Sequence, residues 1–281
     1  MIFDFTKCES IHFSGLRLKE NGIPEIVGLK KLGYFSYPIT VSLYGIYELQ
    51  LYKKTSDESH RESAIRCAKW LIENADVSRE EVRWWYNFRN DFLNIEPPWL
   101  CGYGQALSAW LLFSLRDFEG QWEEIAYKAL NPLFIPFENG GLSNKINGYC
   151  FLEEYPSDPP SATLNGFMYI LLVLHAFYES GYNKVESFFF SNIESLAMNL
   201  YRYDTGFWSL YDLWKIKRLA SLEYHWIHLY QLDLLYKITG IKEFLECYNR
   251  WTVYWKSSNC RFFRLVNKVK EKIRIYTGIK I

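Results

Sequence analysis

The chain has 281 residues, of which 49% are hydrophobic and 23% are charged, with a formal net charge of zero; this is the composition of a globular protein with a sizeable core. The sequence contains no run of about 18 uncharged apolar residues, so it predicts no transmembrane helix. The N-terminus MIFDFTKCES does not resemble a secretory signal peptide. Six cysteines without a CxxC pair favour a reducing compartment over a disulfide framework or a zinc site, so we expect a cytoplasmic protein.

Hydrophobic spacing and stop signals predict helices through the first half of the chain. Residues 1–36 are expected to form an N-terminal arm with short strands, and Asp57 is expected to cap a helix. The aromatic residues 84–86 favour an extended segment that ends before Pro97 and Pro98. The predicted helices cover residues 38–53, the segment after Asp57, residues 102–118 and residues 122–130, the last of them stopped by Pro132.

The second half repeats the alternation of helices with glycine-rich aromatic turns. Helices are predicted over residues 164–180, 185–203, 221–238 and 241–255, and the alternating residues 207–211 predict a short strand. No GxGxxG or GxxxxGK[ST] motif indicates a nucleotide site. We therefore expect a mainly α fold, an (α/α) toroid or incomplete barrel of antiparallel helix pairs with short β-hairpins near the cleft. The expected segments are the arm 1–36, a catalytic domain 37–256 and a basic segment 257–281.

Residues 148–169 contain the most unusual local sequence, GYCFLEEYPSDPPSATLNGFMY. Two adjacent carboxylates, Glu153 and Glu154, are followed by Tyr155 and Pro156, and Pro156 biases Tyr155 towards an extended backbone. A stiff loop with two acids and a phenol in front of a buried helix is a plausible place for chemistry.

Aromatic residues make up 19% of the chain, with 11 Trp, 22 Tyr and 20 Phe. Sugar-binding clefts use such rings as stacking surfaces, but a lineage with an aromatic bias would give the same composition, and both explanations stay open. His225 and His228 share one face of a predicted helix. Their spacing matches no zinc signature, so we expect no metal site and at least one structural histidine.

Five ordered segments resemble the C-terminal catalytic domain of the D-glucuronyl C5-epimerases, which convert glucuronate to iduronate within heparan-type chains. Together with the residues between them, they extend over about two-thirds of the chain. The segments are YPITVSLYGIYEL at 37–49, PPWLCGYGQALSAWLL at 97–112, EEYPSDPPSATLNGFMYIL at 153–171, SLYDL at 209–213 and EYHWIHLYQLDLL at 223–235.

The resemblance implies C5-epimerisation of D-glucuronate within a bacterial polysaccharide, with neither a cofactor nor a metal. Proton removal and return at C5 need acid/base groups on both faces of the sugar ring. The residues that match catalytic positions are Glu154, Tyr155, Tyr211 and Tyr224. The residues expected to bind substrate are Trp99, Gln105, Asn165, Lys215, Lys217, Arg218, His225 and His228. A homodimer is implied only by analogy with dimeric members of the family.

One departure from the family pattern concerns the substrate carboxylate. The family usually has Arg directly after YDL, whereas this chain has Trp214, followed by Lys215, Lys217 and Arg218. Any of these three cations is a candidate replacement for that Arg. Two alternatives to an epimerase stay open: a uronate polysaccharide lyase, which starts with the same proton abstraction, and a non-catalytic glycan-binding protein.

The C-terminal segment is strongly basic, with nine Lys or Arg residues between positions 250 and 281 against the single acid Glu271. An amphipathic helix is expected here, with Phe262, Val266, Val269 and Ile273 on its apolar face. This face could pack on the domain, lie on an anionic membrane surface or leave the basic residues to collect a polyanionic glycan. No nucleic-acid-binding motif accompanies the basic residues, so we expect no nucleic-acid partner.

Overall fold

The computed structural model describes residues 3–27, 33–146 and 148–277. Parts of the predicted arm and the last four residues of the basic segment lie outside this range. The helices are α1 (Glu9–His12), α2 (Pro38–Thr55), α3 (Glu58–Glu73), α4 (Gly102–Ser114), α5 (Gln121–Phe134), α6 (Leu164–Glu179), α7 (Glu186–Asn199), α8 (Leu222–Thr239), α9 (Lys242–Lys256) and α10 (Ser258–Thr277).

The strands are short, and the pairs formed by the first seven of them are antiparallel. The first three make one sheet in the order β1-β2-β3, and the others pair as β4-β5, β6-β7 and β8-β9. Their bounds are β1 (Arg17–Leu18), β2 (Pro24–Val27), β3 (Tyr34–Phe35), β4 (Asp76–Val77), β5 (Val82–Arg83), β6 (Trp85–Tyr86), β7 (Trp99–Leu100), β8 (Ser143–Ile146) and β9 (Tyr149–Leu152). The fold is mainly helical, as predicted, and the toroidal arrangement stays a prediction.

The chain divides into two compact units, Met1–Ser143 and Asn144–Ile281, with the division inside β8. In the first unit α2 packs on α3 and α4, and α4 packs on α5. The start of the predicted arm is tied to α2, because Gln50 accepts a hydrogen bond from Phe5 N at 2.8 Å and donates one to Phe3 O at 2.6 Å. The three segments predicted from the sequence stay a prediction.

Helix capping explains where several elements begin and end. Asp57 accepts a hydrogen bond from Ser59 N at 2.9 Å and starts α3, as predicted. Gly240 ends α8 in the left-handed conformation that glycine tolerates. The predicted stop at Pro132 is wrong, because α5 continues to Phe134. Pro132 lies in the last turn, where it removes one helical hydrogen bond, and its own carbonyl accepts from Leu142 N at 3.0 Å.

The second unit is built around α6, whose residues are all buried from Leu164 to Leu174. A helix that is apolar on all sides needs neighbours on all sides. Helices α7 and α8 pack against it, and α9 packs on α8. Gln231 on α8 donates to the carbonyl of Asn165 at 2.9 Å and fixes the first turn of α6.

The predicted strand over residues 207–211 is not formed. Leu210 makes an isolated bridge with Leu219, and Tyr211 N donates to Arg218 O at 2.6 Å. Ala220 N donates to Ser209 O at 2.9 Å. The backbone therefore forms a narrow hairpin, and residues 212–217 are its tip.

Helix α10 exposes the apolar face for which packing on the domain was one of three interpretations. Phe262, Val269 and Ile273 are 63%, 53% and 38% exposed. Glu271 instead accepts from Leu219 N at 2.9 Å, and the Arg264 guanidinium lies 5.7 Å from the centre of the Trp208 ring. Docking of the apolar face on the domain is therefore wrong for these residues, and the membrane and glycan interpretations stay predictions. No helix in the described ranges is both long and apolar enough to span a membrane.

Candidate active site

Glu153 holds the loop that leads into α6. Its carboxyl group is completely buried, and Oε2 accepts hydrogen bonds from Ser161 Oγ and Ala162 N, both at 3.2 Å. Ala162 has a φ of 46°, a left-handed conformation that is strained for a residue with a side chain. Tyr203 donates to Ala162 O at 2.8 Å. The N–H and C=O groups of Ala162 are thus both fixed by buried partners. Oε2 of Glu153 serves this loop, while its buried Oε1 has no hydrogen-bond partner among the described residues.

Burial raises the pKa of Glu153 to about 8, and the hydrogen bonds from Ala162 and Ser161 oppose part of that shift. Because the pKa in the folded state lies above the ordinary value of 4.5, stability from this group is complete below about pH 4.5 and is lost as the pH rises through about 8. Glu153→Gln keeps an acceptor for the loop but removes the ionisation. We expect the free energy of unfolding to fall less steeply between pH 5 and 8 in the variant, by up to about 1.4 kcal/mol per pH unit. Urea unfolding at a series of pH values measures this, and parallel pH profiles would contradict it.

Glu154 packs directly against the first turn of α6. A Cβ built on Gly166 would lie 2.7 Å from Cδ of Glu154 and nearer still to its Oε2, so only glycine leaves room for this carboxyl group. Burial raises the pKa of Glu154 to about 7, against the opposing effects of a hydrogen bond from Tyr155 and the charge of Arg218. Among the described residues Oε2 has no hydrogen-bond partner. A carboxyl group with a near-neutral pKa and one buried oxygen without a hydrogen-bond partner suits general base catalysis.

Backbone hydrogen bonds bring a second segment to this loop. Leu164 N donates to Tyr211 O at 3.0 Å, and Leu213 N donates to Ser161 O at 2.9 Å. The hairpin around Tyr211 therefore lies beside the loop that carries Glu154. The two predicted halves of the site, more than fifty residues apart in sequence, meet in the second unit.

Tyr211 and Tyr224 form a pair of phenols beside Glu154. Their ring centres are 4.9 Å apart at an angle of 66°, and hydrogen bonding by the Tyr211 hydroxyl lowers the pKa of Tyr224 against the larger effect of burial. Tyr224 lies in the first turn of α8, where its backbone N–H donates to the capping Ser221 Oγ at 3.1 Å. Burial, followed by the charge of Glu154, raises the pKa of Tyr224 to about 12 and that of Tyr211 well above 10. Both phenols therefore stay protonated at neutral pH and are weak acids, so they can donate a proton only to a strong base.

Arg218 is the cation that the structure places in this cluster. Its guanidinium carbon lies 4.7 Å from the centre of the Tyr211 ring, and Nε donates to Asp212 Oδ2 at 2.6 Å. Nη2 contacts the same carboxylate, which is completely buried. The charge of Arg218 lowers the pKa of Glu154, Tyr211 and Tyr224 against the larger effect of burial. Lys215 and Lys217, the other predicted candidates, are exposed at the hairpin tip.

The two predicted histidines are part of the core of the second unit. Both rings are fully buried, and their Nδ1 atoms share Ser209 Oγ, at 2.7 Å for His225 and 3.0 Å for His228. His225 also stacks on Trp208 with ring centres 3.9 Å apart. Burial lowers the pKa of His225 to about 4, so this cluster is neutral at ordinary pH. A structural role fits both residues, and their predicted substrate contact is not tested by these bonds.

Trp99 and Gln105 are also held by internal bonds, whereas the buried Oδ1 of Asn165 has no hydrogen-bond partner among the described residues. Trp99 and Gln105 belong to the first unit. Trp99 Nε1 donates to Phe88 O at 2.7 Å, and Gln105 Nε2 donates to Ala129 O at 2.9 Å. Asn165 is buried in the first turn of α6, beside Gly166. Their predicted contact with substrate stays a prediction.

Sequence reasoning missed Asp212 and Gly166 as parts of the site. Asp212 was visible in the YDL motif, but only the hairpin shows that it pairs with Arg218. Gly166 follows Asn165 in LNGF and gave no signal of its own, because the close approach of Glu154 depends on the tertiary fold. In the described ranges no three His, Cys, Asp or Glu side chains come together in a way that could hold a metal ion.

Comparisons with known proteins identify what this chain is similar to. A family model described as the D-glucuronyl C5-epimerase C-terminus matches residues 77–253. An uncharacterised protein of Methanocaldococcus jannaschii is 27% identical over 244 residues, which cover 79% of this chain and 78% of that protein. A D-glucuronyl C5-epimerase of Caenorhabditis elegans is 26% identical over 219 residues, which cover 70% of this chain but only 35% of the nematode protein.

Among solved structures, a polysaccharide lyase aligns with 79% of this chain and 28% of its own, at a TM-score of 0.43 and 16% sequence identity. A likeness at this level does not establish a shared fold. The matched residues 77–253 include Glu154, Tyr155, Tyr211, Arg218 and Tyr224.

Proposed function

The chain belongs to the family of D-glucuronyl C5-epimerase C-terminal domains, and from this membership we propose that it converts D-glucuronate to L-iduronate within a polysaccharide. The observation that supports this most strongly is the cluster of Glu154 with Tyr211 and Tyr224. It combines a carboxyl group of pKa about 7 with phenols whose pKa values lie above 10. Groups with pKa values pushed apart in this way suit the acid and the base of one reaction.

In this proposal Glu154 is the base. The hydrogen on C5 of the sugar lies α to the carboxylate, so its removal places the electron pair of the C–H bond in an enediolate. Burial raises the pKa of Glu154 towards neutrality, which is the condition that favours proton transfer by a general base. The free Oε2 takes the proton.

The acid is one phenol of the Tyr211–Tyr224 pair. It donates its proton to C5 from the opposite face, a new C–H bond forms, and the electron pair of the enediolate returns to the sugar. The phenolate left behind is stabilised by the hydrogen bond of the other tyrosine and by the charge of Arg218. Solvent then restores both groups, and the sugar gains and loses no atoms.

We propose that Arg218 pairs with the substrate carboxylate. The family usually has an Arg for this role at the position that Trp214 occupies here. It is the cation beside Tyr211, whereas Lys215 and Lys217 are exposed. Asp212 holds two of its nitrogens and so fixes the plane of the guanidinium.

Arg218→Lys should therefore lower kcat/KM about 10–100-fold, because an ammonium group cannot pair with Asp212 and a second carboxylate in the same plane. The paired variants Lys215→Gln and Lys217→Gln remove a positive charge from the hairpin tip and should change kcat/KM less than threefold. Steady-state kinetics on one glucuronate polymer checks all three. A larger loss in either lysine variant than in Arg218→Lys would move the carboxylate site to the tip.

The product distinguishes this proposal from a lyase, which begins with the same proton abstraction. We expect proton NMR of a glucuronate polymer to show iduronate signals after incubation, with no change in chain length. Ultraviolet absorbance of an unsaturated uronate without iduronate would instead favour elimination. Binding without either product would favour the glycan-binding alternative.

A further inference from the structure

The first unit contains a cleft that the proposed chemistry does not use. Its volume is about 670 Å³, within the range of roughly 300–1,000 Å³ that is typical of ligand pockets. The start of α2, the end of α3 and strand β6 form its walls. Residues 85–88 of this wall lie within the matched range 77–253, and Tyr37 and Pro38 belong to the segment 37–49 that resembles the epimerases. We propose that the cleft binds an uncharged pyranose sugar.

Aromatic rings line this cleft and remain partly accessible. Tyr37, Trp85 and Phe88 are half-buried, and Phe35 is 40% exposed. The Tyr37 ring lies 5.3 Å from Phe88 and is nearly parallel to Phe35, with ring centres 6.0 Å apart at 29°. Partly exposed rings grouped in a concave site mark a candidate ligand-binding surface. The C–H face of a pyranose is a flat apolar surface that fits such rings.

The polar groups of the cleft accept hydrogen bonds. Asp76 fixes Trp85, because its Oδ2 accepts from Trp85 Nε1 at 2.8 Å. Glu73 and Asn87 are exposed on the lining. Carboxylates and amide oxygens at the edge of aromatic rings suit the hydroxyl groups at the rim of a sugar.

The charge of the cleft selects against an anionic ligand. None of the described residues that line it is Lys, Arg or His, while Glu73 and Asp76 bring two carboxylates. Arg83 lies 5.3 Å from the Trp85 ring, but its Nε and Nη2 donate to Glu81 at 2.8 and 2.9 Å, so its charge is paired. A uronate, a sulfated sugar or a nucleic acid would meet repulsion without a compensating cation. An uncharged sugar meets none.

This inference does not depend on the proposed epimerisation, because it concerns residues of the first unit and is tested by binding. The full chain is titrated with cellotetraose and with tetra-N-acetylchitotetraose, and binding is followed by calorimetry and by saturation-transfer NMR. We expect at least one of these neutral probes to bind, and Trp85→Ala to weaken it at least tenfold. Trp110→Ala removes a half-buried indole of the same unit that does not line the cleft, and it should leave affinity unchanged.

Glu73→Ala provides a second variant that avoids loss of folding, because Glu73 is exposed at the end of α3. It should weaken the neutral probe about tenfold by removing a charged acceptor. The proposal is overturned if neither neutral probe binds the wild-type chain, or if Trp85→Ala and Glu73→Ala both bind as tightly as the wild type. Iduronate formation, measured on the same preparations, reports on the epimerase proposal separately.

Discussion

Glu154→Gln is expected to lower the rate of C5 proton exchange by about 100–10,000-fold, the usual contribution of a positioned acid or base. The amide has nearly the same shape as the carboxyl group, so it fits against Gly166 and can still accept the hydrogen bond from Tyr155. What it cannot do is take a proton from carbon. The rate of deuterium uptake at C5 of a glucuronate polymer measures the loss.

Glu153→Gln is the matched control, since it makes the same change one residue earlier. Glu153 bonds to Ser161 and Ala162 rather than to the phenols, so its amide should keep activity within about tenfold. Equal losses in the two variants would show that the effect comes from the loop and not from the base. An active Glu154→Gln variant would remove Glu154 from the mechanism.

Gly166→Ala is expected to be as damaging to activity although it adds a single methyl group. In a helix this change alone would favour folding by up to about 1 kcal/mol. Here the new Cβ would lie 2.7 Å from Glu154 Cδ and 2.8 Å from Glu154 Cβ, so the carboxyl group must move. We expect a loss of stability of about 1–3 kcal/mol and a loss of activity of 100-fold or more, because a shift of the order of 1 Å in a catalytic group has that effect.

A double-mutant cycle isolates this contact. Combining Gly166→Ala with Glu154→Ala removes the Cδ and Oε2 atoms that the methyl would meet and keeps only the Cβ contact, so the destabilisation by Gly166→Ala should be smaller in that background. Urea unfolding of the four proteins measures the coupling. Additive effects would show that the methyl group disturbs something other than Glu154.

The residues of the site were largely predictable, but their roles were not. Motif resemblance gave Glu154, Tyr155, Tyr211 and Tyr224, and the structure brings all four together in one unit. The resemblance singled out Glu154, but the sequence offered no physical reason to prefer it to Glu153, which is adjacent and chemically identical. The division follows from tertiary contacts, since one carboxyl group faces the Ala162 peptide and the other faces Gly166.

The choice among the three cations also needed the fold. Lys215, Lys217 and Arg218 are equivalent in a linear sequence, but the hairpin register pairs Tyr211 N with Arg218 O. This register sets Arg218 beside Tyr211 and leaves the lysines at the tip. Long-range pairing of this kind has no local signature.

Local signals predicted the helices well where they depend on capping, as at Asp57 and Gly240. They failed where tertiary contacts override them. Pro132 is tolerated in the last turn of α5 because its carbonyl is used by Leu142. In α10 the contacts of Arg264 and Glu271 with the domain decide which face is exposed, against the expectation from hydrophobicity alone.

The exchange of the C5 hydrogen with solvent tests the central claim most directly. A panel of glucuronate polymers is incubated with the wild-type chain in deuterated water and examined by NMR and mass spectrometry. The account predicts deuterium at C5 in both glucuronate and iduronate units of at least one polymer, at a rate that Glu154→Gln reduces by 100-fold or more. Folded wild-type protein that leaves C5 unlabelled in every polymer, or that labels it equally fast without the Glu154 carboxyl group, would contradict it.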